Sequence, residues 1–161
     1  MRWWLPGLFL LMLMCVNTSE AQFLKDKIVI GRVEWVELPE LKYRVRARID
    51  SGAKTSSLHA EGLEEVQRDG VVWVKFRIRD EQNKTIEVTR KVVSTIKVSN
   101  AGGFSGKRYV IKEKVKLGNI TREISVNLND RTKMEYRFLV GRNFLLGHFM
   151  VDVSRSHMAG D

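Results

Sequence analysis

The sequence predicts an all-β fold, a barrel of paired strands with one short helix near the C-terminus. Three observations lead there. Apolar and charged residues alternate through several stretches, as they do when successive side chains point to opposite faces of a strand. Turn signals at Asp69-Gly70 and Gly118-Asn119 stand between such stretches, where hairpins reverse. Only residues 142–146 carry a helical pattern.

In chain order, residues 27–36 form the first strand-like stretch. Tyr43, Val45, Ala47 and Ile49 then face one way while Lys42, Arg44, Arg46 and Arg48 face the other. After Asp69-Gly70, the residues Val72, Val74, Phe76 and Ile78 repeat this against Trp73, Lys75, Arg77 and Arg79. Residues 85–97 add a further stretch. Tyr109, Ile111, Val115 and Leu117 run into Gly118-Asn119, and Ile124, Val126 and Leu128 return, which makes a second hairpin.

The chain of 161 residues has room for one domain. Only Pro6 and Pro39 occur, glycine is dispersed, and there is no internal repeat. At the N-terminus Arg2 precedes an apolar run over 3–16, and Ser19-Glu20-Ala21 offers small residues at both recognition positions for cleavage after Ala21. Residues 1–21 are therefore expected to be an export signal and 22–161 the mature domain. An uncleaved anchor is the alternative, although the run is shorter than the ~20 residues of a spanning helix. Lipid attachment at Cys15 is disfavoured because Met14, not a small residue, precedes it.

Cleavage removes Cys15, the only cysteine, so packing alone must hold the mature fold. Export implies a periplasmic or secreted protein with no membrane attachment after cleavage. ATP is not expected there, and the sequence has no glycine-rich phosphate loop, which argues against nucleotide chemistry. The net charge of +9 survives cleavage, since Arg2 and Glu20 leave together. It suits an acidic partner without choosing among lipid, cell-wall polymer and protein. Nucleic acid is not expected, because export removes it and no aromatic stacking motif accompanies the charge.

The chemistry is concentrated at Asp50-Ser51-Gly52-Ala53, directly after the alternating strand that ends at Ile49. It reads as a carboxylate held at a strand end by a tight turn. Ser51 can donate a hydroxyl hydrogen bond that locks the turn, and Gly52 permits close approach of backbone and unusual dihedrals. These are also favoured turn residues for purely local reasons. About 90 residues later, Phe138-Leu139-Val140 ends in Gly141-Arg142. An Asp pair sharing one proton can take a proton from water and give one to a leaving group. The chain has a single Asp-Ser-Gly, so such a pair requires a homodimer in which Asp50 meets its twofold mate.

With their flanks, the segments running from Ala47 to Ala60, Lys107 to Ile111, Arg131 to Tyr136 and Leu139 to Leu145 resemble retropepsin-like aspartic proteases. The particular likeness is to a bacterial branch often labelled ATP-dependent zinc proteases. The resemblance implies a dimeric acid-protease barrel, Asp50 as catalytic aspartate, Ser51, Gly52 and Ala53 as its turn, and a peptide or protein substrate. Lys54, Gly141 and Arg142 become supporting residues. Retropepsins also need a cover over the site, and Gly102, Gly103 and Phe104 lie in a segment of that composition; a plain exposed loop is the alternative.

The zinc label and the residues disagree. No His-Glu-x-x-His occurs, and His59, His148 and His157 are scattered without ligand spacing, so no metal and no cofactor are expected. Lys54 stands where retroviral enzymes commonly have an acidic partner for the Gly-Arg arginine, so Arg142 needs another. Ser51 replaces a frequent Thr, and Arg137-Phe138 a frequent Pro-Met. The competing function is a non-catalytic binding module for an anionic polymer or protein, built on Arg44, Arg46, Arg48, Lys75, Arg77 and Arg79. Those residues are equally read as a solvated outer face.

Overall fold

The computed structural model describes residues 27–99 and 105–160. The signal at 1–21 and the cover residues Gly102, Gly103 and Phe104 lie outside them.

Eleven strands are described, with one helix of a single turn. They are β1 (Ile28–Gly31), β2 (Val33–Leu38), β3 (Tyr43–Ile49), β4 (Ser56–His59), β5 (Glu61–Arg68) and β6 (Val71–Arg79), then β7 (Thr85–Ser99), β8 (Ser105–Leu117), β9 (Ile120–Asn129), β10 (Phe138–Val140) and β11 (Phe149–Asp152). The helix α1 is Arg142–Leu145. Strands β2-β3-β10-β4-β9-β8 form a six-strand barrel, closed where Glu37 of β2 pairs with Lys116 of β8. The Lys116 ammonium adds an ion pair to Glu37 at 3.1 Å across that seam.

The predicted alternation is the barrel wall. Along β3, Tyr43, Val45, Ala47 and Ile49 are buried while Arg44, Arg46 and Arg48 are exposed. Val36, Leu58, Val126 and Phe138 meet them from other strands, and Phe144 and Leu145 of α1 join this core. Beyond β8 the sheet continues through β7, β6 and β5 as an antiparallel flange. Its β5–β6 turn has both Asp69 (φ 49°) and Gly70 (φ 73°) in the left-handed region, the geometry of a type I′ hairpin. Strands β7 and β8 pair as far as Ser99 with Ser105.

Three elements depart from the sequence reading. Residues 27–36 are two strands, because Gly31 packs so closely on Arg155 and Ser156 that a Cβ there would lie 2.6 Å from Arg155 O. Glu34 secures that bend: its buried carboxylate accepts hydrogen bonds from the Gly31, Met158 and Ala159 amides at 2.5, 2.9 and 3.1 Å. Strand β4 is buried along its whole length and shows no alternation, while β5 is mostly exposed and polar. Strand β11 pairs in parallel with β1, a partner more than a hundred residues away that no local pattern announces.

Strand β10 decides where the site lies. It is inserted between β3, parallel to it, and β4, antiparallel to it, with Val140 opposite Ile49 and Leu139 opposite Ser57. Two parallel strands end on the same side of a sheet. The insertion therefore brings the residues after Ile49 and after Val140 to one place.

Candidate active site

Asp50 follows the last residue of β3, and its amide donates to Val140 O at 3.0 Å. Its Oδ1 accepts the Gly52 and Ala53 amides at 2.9 and 3.1 Å, folding the carboxylate over its own turn. No hydrogen bond reaches Oδ2 among the described residues. One oxygen is thus fixed by the backbone and the other left for chemistry, on a half-buried side chain.

This corrects two sequence expectations. Ser51 does not lock the turn; its side chain is exposed and its hydroxyl has no partner among the described residues. Gly52 does not have a positive φ. Space is what Gly52 provides, since a Cβ there would lie 3.2 Å from Asp50 Oδ1.

Gly141 and Arg142 hold the turn from the other side. A Cβ on Gly141 would stand 2.6 Å from the Thr55 carbonyl carbon and 3.0 Å from Ala53 O, so only glycine fits. The Gly141 amide donates to Ser56 Oγ at 3.0 Å, and the Arg142 amide to Ala53 O at 2.9 Å. Arg142 Nη1 donates to Ser51 O and Gly52 O at 3.0 and 2.8 Å, so the arginine deprived of an acidic partner holds the turn's own carbonyls. Lys54 contributes backbone: its carbonyl accepts the Asn143 amide at 3.3 Å, and its side chain is exposed. Beside Ser51 and Arg142 opens an apolar cleft of about 380 Å³ lined by Leu145, Leu146, Phe149 and Met150.

Several residues here escaped sequence reasoning. Asn143 Oδ1 accepts from Ser56 N and Oγ at 2.9 and 3.0 Å, and its Nδ2 donates to Ser125 O at 2.7 Å. Gly-Arg-Asn, read as one unit, was the available signal. On the face of β4 opposite Leu58, Ser57 pairs in register with Asn127 of β9. Ser57 Oγ and Asn127 Oδ1 are buried without a hydrogen-bond partner, which marks this shelf as polar and unsatisfied.

Arg131 is buried at 6% exposure, and among the described residues its Nε donates to Tyr136 O at 2.9 Å. Burial pulls its pKa down, Arg108 pulls it further, and Asp50 opposes both. Its guanidinium therefore feels one like charge and one opposite charge in addition to its burial. Arg131 opens one of the segments that carry the family resemblance, but its residue type does not announce its burial.

The histidines lie apart, His59 at the end of β4, His148 against Phe149 and His157 against Trp35. The basic faces carry partners: Arg44 stacks on Trp35 at 4.6 Å, Arg46 lies 3.9 Å from Glu81, Lys75 3.4 Å from Glu87, and Arg79 forks onto Glu61.

Among solved structures, a Legionella pneumophila protein of unknown function, Lpg0085, superposes with a TM-score of 0.71 at 27% identity, covering 82% of this chain and 98% of its own. A probable alpha-L-glutamate ligase of Parasynechococcus marenigrum is 40% identical over 139 residues, 84% of this chain and 30% of that protein. One of Shewanella pealeana is 37% identical over 140 residues, 84% of this chain and 31% of its own. The chain thus spans under a third of the length of these curated relatives. Residues 29–161 match the family model RimB-like, described as retropepsin-like aspartic endopeptidase RimB, which agrees with the retropepsin-like resemblance and does not carry the zinc-protease label of the bacterial branch. With that match over most of its length, on a barrel whose Asp50 turn abuts Gly141-Arg142, the chain belongs to the RimB-like family of retropepsin-like aspartic endopeptidases.

Proposed function

We propose that this protein is an aspartic endopeptidase that works as a homodimer, with Asp50 of each copy sharing one proton across a twofold axis. The observation that carries this is the Asp50 carboxylate, pinned through Oδ1 by the Gly52 and Ala53 amides at the β3–β10 junction. Two such carboxylates about 3 Å apart cannot both ionise, so one deprotonates water while the other protonates the leaving nitrogen. The exposed Ser51 hydroxyl and the apolar cleft beside it support a second copy docking at the turn.

The substrate is a peptide carrying carboxylate side chains. Arg131 feels the repulsion of Arg108 and the attraction of Asp50, which favours an acidic ligand, and the relatives are named glutamate ligases. Export to a periplasmic or external compartment, with the mature chain starting near Gln22, belongs to the same proposal.

Cleavage of a peptide library enriched in glutamate, beside Asp50→Asn, tests it. Expected are cleavage at acidic to neutral pH, a rate per molecule that rises with protein concentration, persistence in chelator, and loss in Asp50→Asn. Cleavage that survives Asp50→Asn overturns the mechanism. Binding of acidic peptides without cleavage by a verified dimer supports a non-catalytic module instead.

A further inference from the structure

Three arginines leave the outer face of β3, and two of them are engaged. Arg44 stacks on Trp35 and Arg46 lies 3.9 Å from Glu81, whereas Arg48 is exposed and has no partner among the described residues. It is also the arginine of the three that lies nearest the site. An exposed charge needs no partner, so position decides whether this one has a use.

Register gives that position. Arg48 stands opposite Leu139 of β10, and Leu139 opposite Ser57 of β4, so the three side chains share the face turned away from the core, into which Ile49, Leu58, Phe138 and Val140 point. The ladder does not stop at Ile49. The Asp50 amide donates to Val140 O at 3.0 Å and keeps the chain extended one residue further, so Asp50 leaves on the face of Arg48, with the two Cα atoms roughly 6.6 Å apart at the ordinary rise of a strand.

The other groups on this face do not compete for a carboxylate. Arg142 is committed to Ser51 O and Gly52 O, and Ser57 makes the middle of the row polar rather than a seat for an apolar side chain. A peptide lying extended past Asp50 advances about 3.3–3.6 Å per residue, which brings the side chain beside the scissile bond within the reach of an arginine two residues from the aspartate. A guanidinium receives a carboxylate there through two parallel N–H···O bonds.

We infer that Arg48 sets specificity, receiving the carboxylate of the substrate residue next to the bond that the Asp50 pair attacks. This rests on the proposed reading of the protein as an aspartic endopeptidase for acidic peptides. Arg48 holds a side chain of the substrate and takes no part in the proton transfers.

Binding to the Asp50→Asn protein tests the inference apart from catalysis. The probes are fluorescein-labelled hexaglutamate and hexaglutamine, read by anisotropy at about 0.15 M salt, where exposed charges beyond ~8 Å are largely screened. Arg48→Gln in that protein is expected to weaken hexaglutamate binding about tenfold, the size of one charge-assisted hydrogen bond, and to leave hexaglutamine unchanged. Lys91→Gln removes the same charge from an exposed position of the flange and is expected to stay within about twofold. Arg48→Glu is expected to abolish hexaglutamate binding.

Undiminished binding in Arg48→Gln, an equal loss in Lys91→Gln, or no hexaglutamate binding while Arg48 is intact overturns the inference. Cleavage of hexaglutamate that persists in Asp50→Asn overturns the aspartic mechanism instead, and the tenfold ratio would still place the carboxylate on Arg48.

Discussion

Arg142 Nη1 sits 2.8 Å from the carbonyl oxygen of Gly52, closing from the far end of the chain the turn that Asp50 closes from within. Replacement by alanine removes a charged donor from two carbonyls. Because the side chain is exposed, the expected loss of stability is modest, roughly 1 kcal/mol. The larger effect falls on activity, since the Ser51 and Gly52 carbonyls then lose their donor and the turn keeps only its backbone bonds and Asp50 Oδ1. Urea unfolding and peptide cleavage measured together on Arg142→Ala check this, and unchanged cleavage would count against the role.

Gly141→Ala meets backbone rather than a movable side chain, with Thr55 C and O at 2.6 and 2.8 Å from the new Cβ. The strand or the turn must shift, at an expected cost of about 1–3 kcal/mol. Cleavage is expected to be lost even where the variant remains folded. A denaturation midpoint equal to that of the unaltered protein would show that the contact relaxes freely.

Glu34→Gln retains the acceptor at one position but turns an amide N–H toward a backbone N–H at the other, where Oε2 met Ala159. The expected destabilisation is about 1–3 kcal/mol, with faster hydrogen exchange at Met158 and Ala159. Exchange there that matches the unaltered protein would show that the C-terminal segment is held otherwise.

Stability should fall in acid. Glu61 is depressed by Arg79, Glu65 by Lys107 and Tyr109, Asp130 by Thr132 and Asp152 by Ser154. A carboxyl lowered on folding contributes fully above its unfolded value and loses that contribution as pH falls through the folded one. Glu113 opposes this, for burial raises it and its contribution fades as pH rises above 4.5. Four against one, the melting temperature is expected to climb between about pH 3 and pH 5, and less steeply in Glu61→Gln. A melting temperature that falls over that range would contradict the assignment.

The barrel wall and the flange were legible because β3 and β6 bury one face and wet the other, and alternation records that asymmetry. Strand β4, buried throughout, and β11, paired with a distant segment, leave no such record. At the site, Asp50 and Gly141-Arg142 could be read because their geometry is local or glycine-dependent. The partner of Arg142 could not, since a carbonyl belongs to every residue alike. The hydrogen bond from the Arg131 amide to His59 was hidden for a related reason: it is buried and joins residues 72 positions apart, which neither residue type announces.

The insertion of β10 between β3 and β4 has a consequence for the order of events in the life of the chain. Its two neighbours are synthesised some eighty residues earlier and must leave, or open, a slot for it. Such non-local pairing closes late and slowly. Until Gly141 and Arg142 arrive, the Asp50 turn lacks its outer clamp, so the geometry around Asp50 is completed only after β10 has been made and has entered its slot.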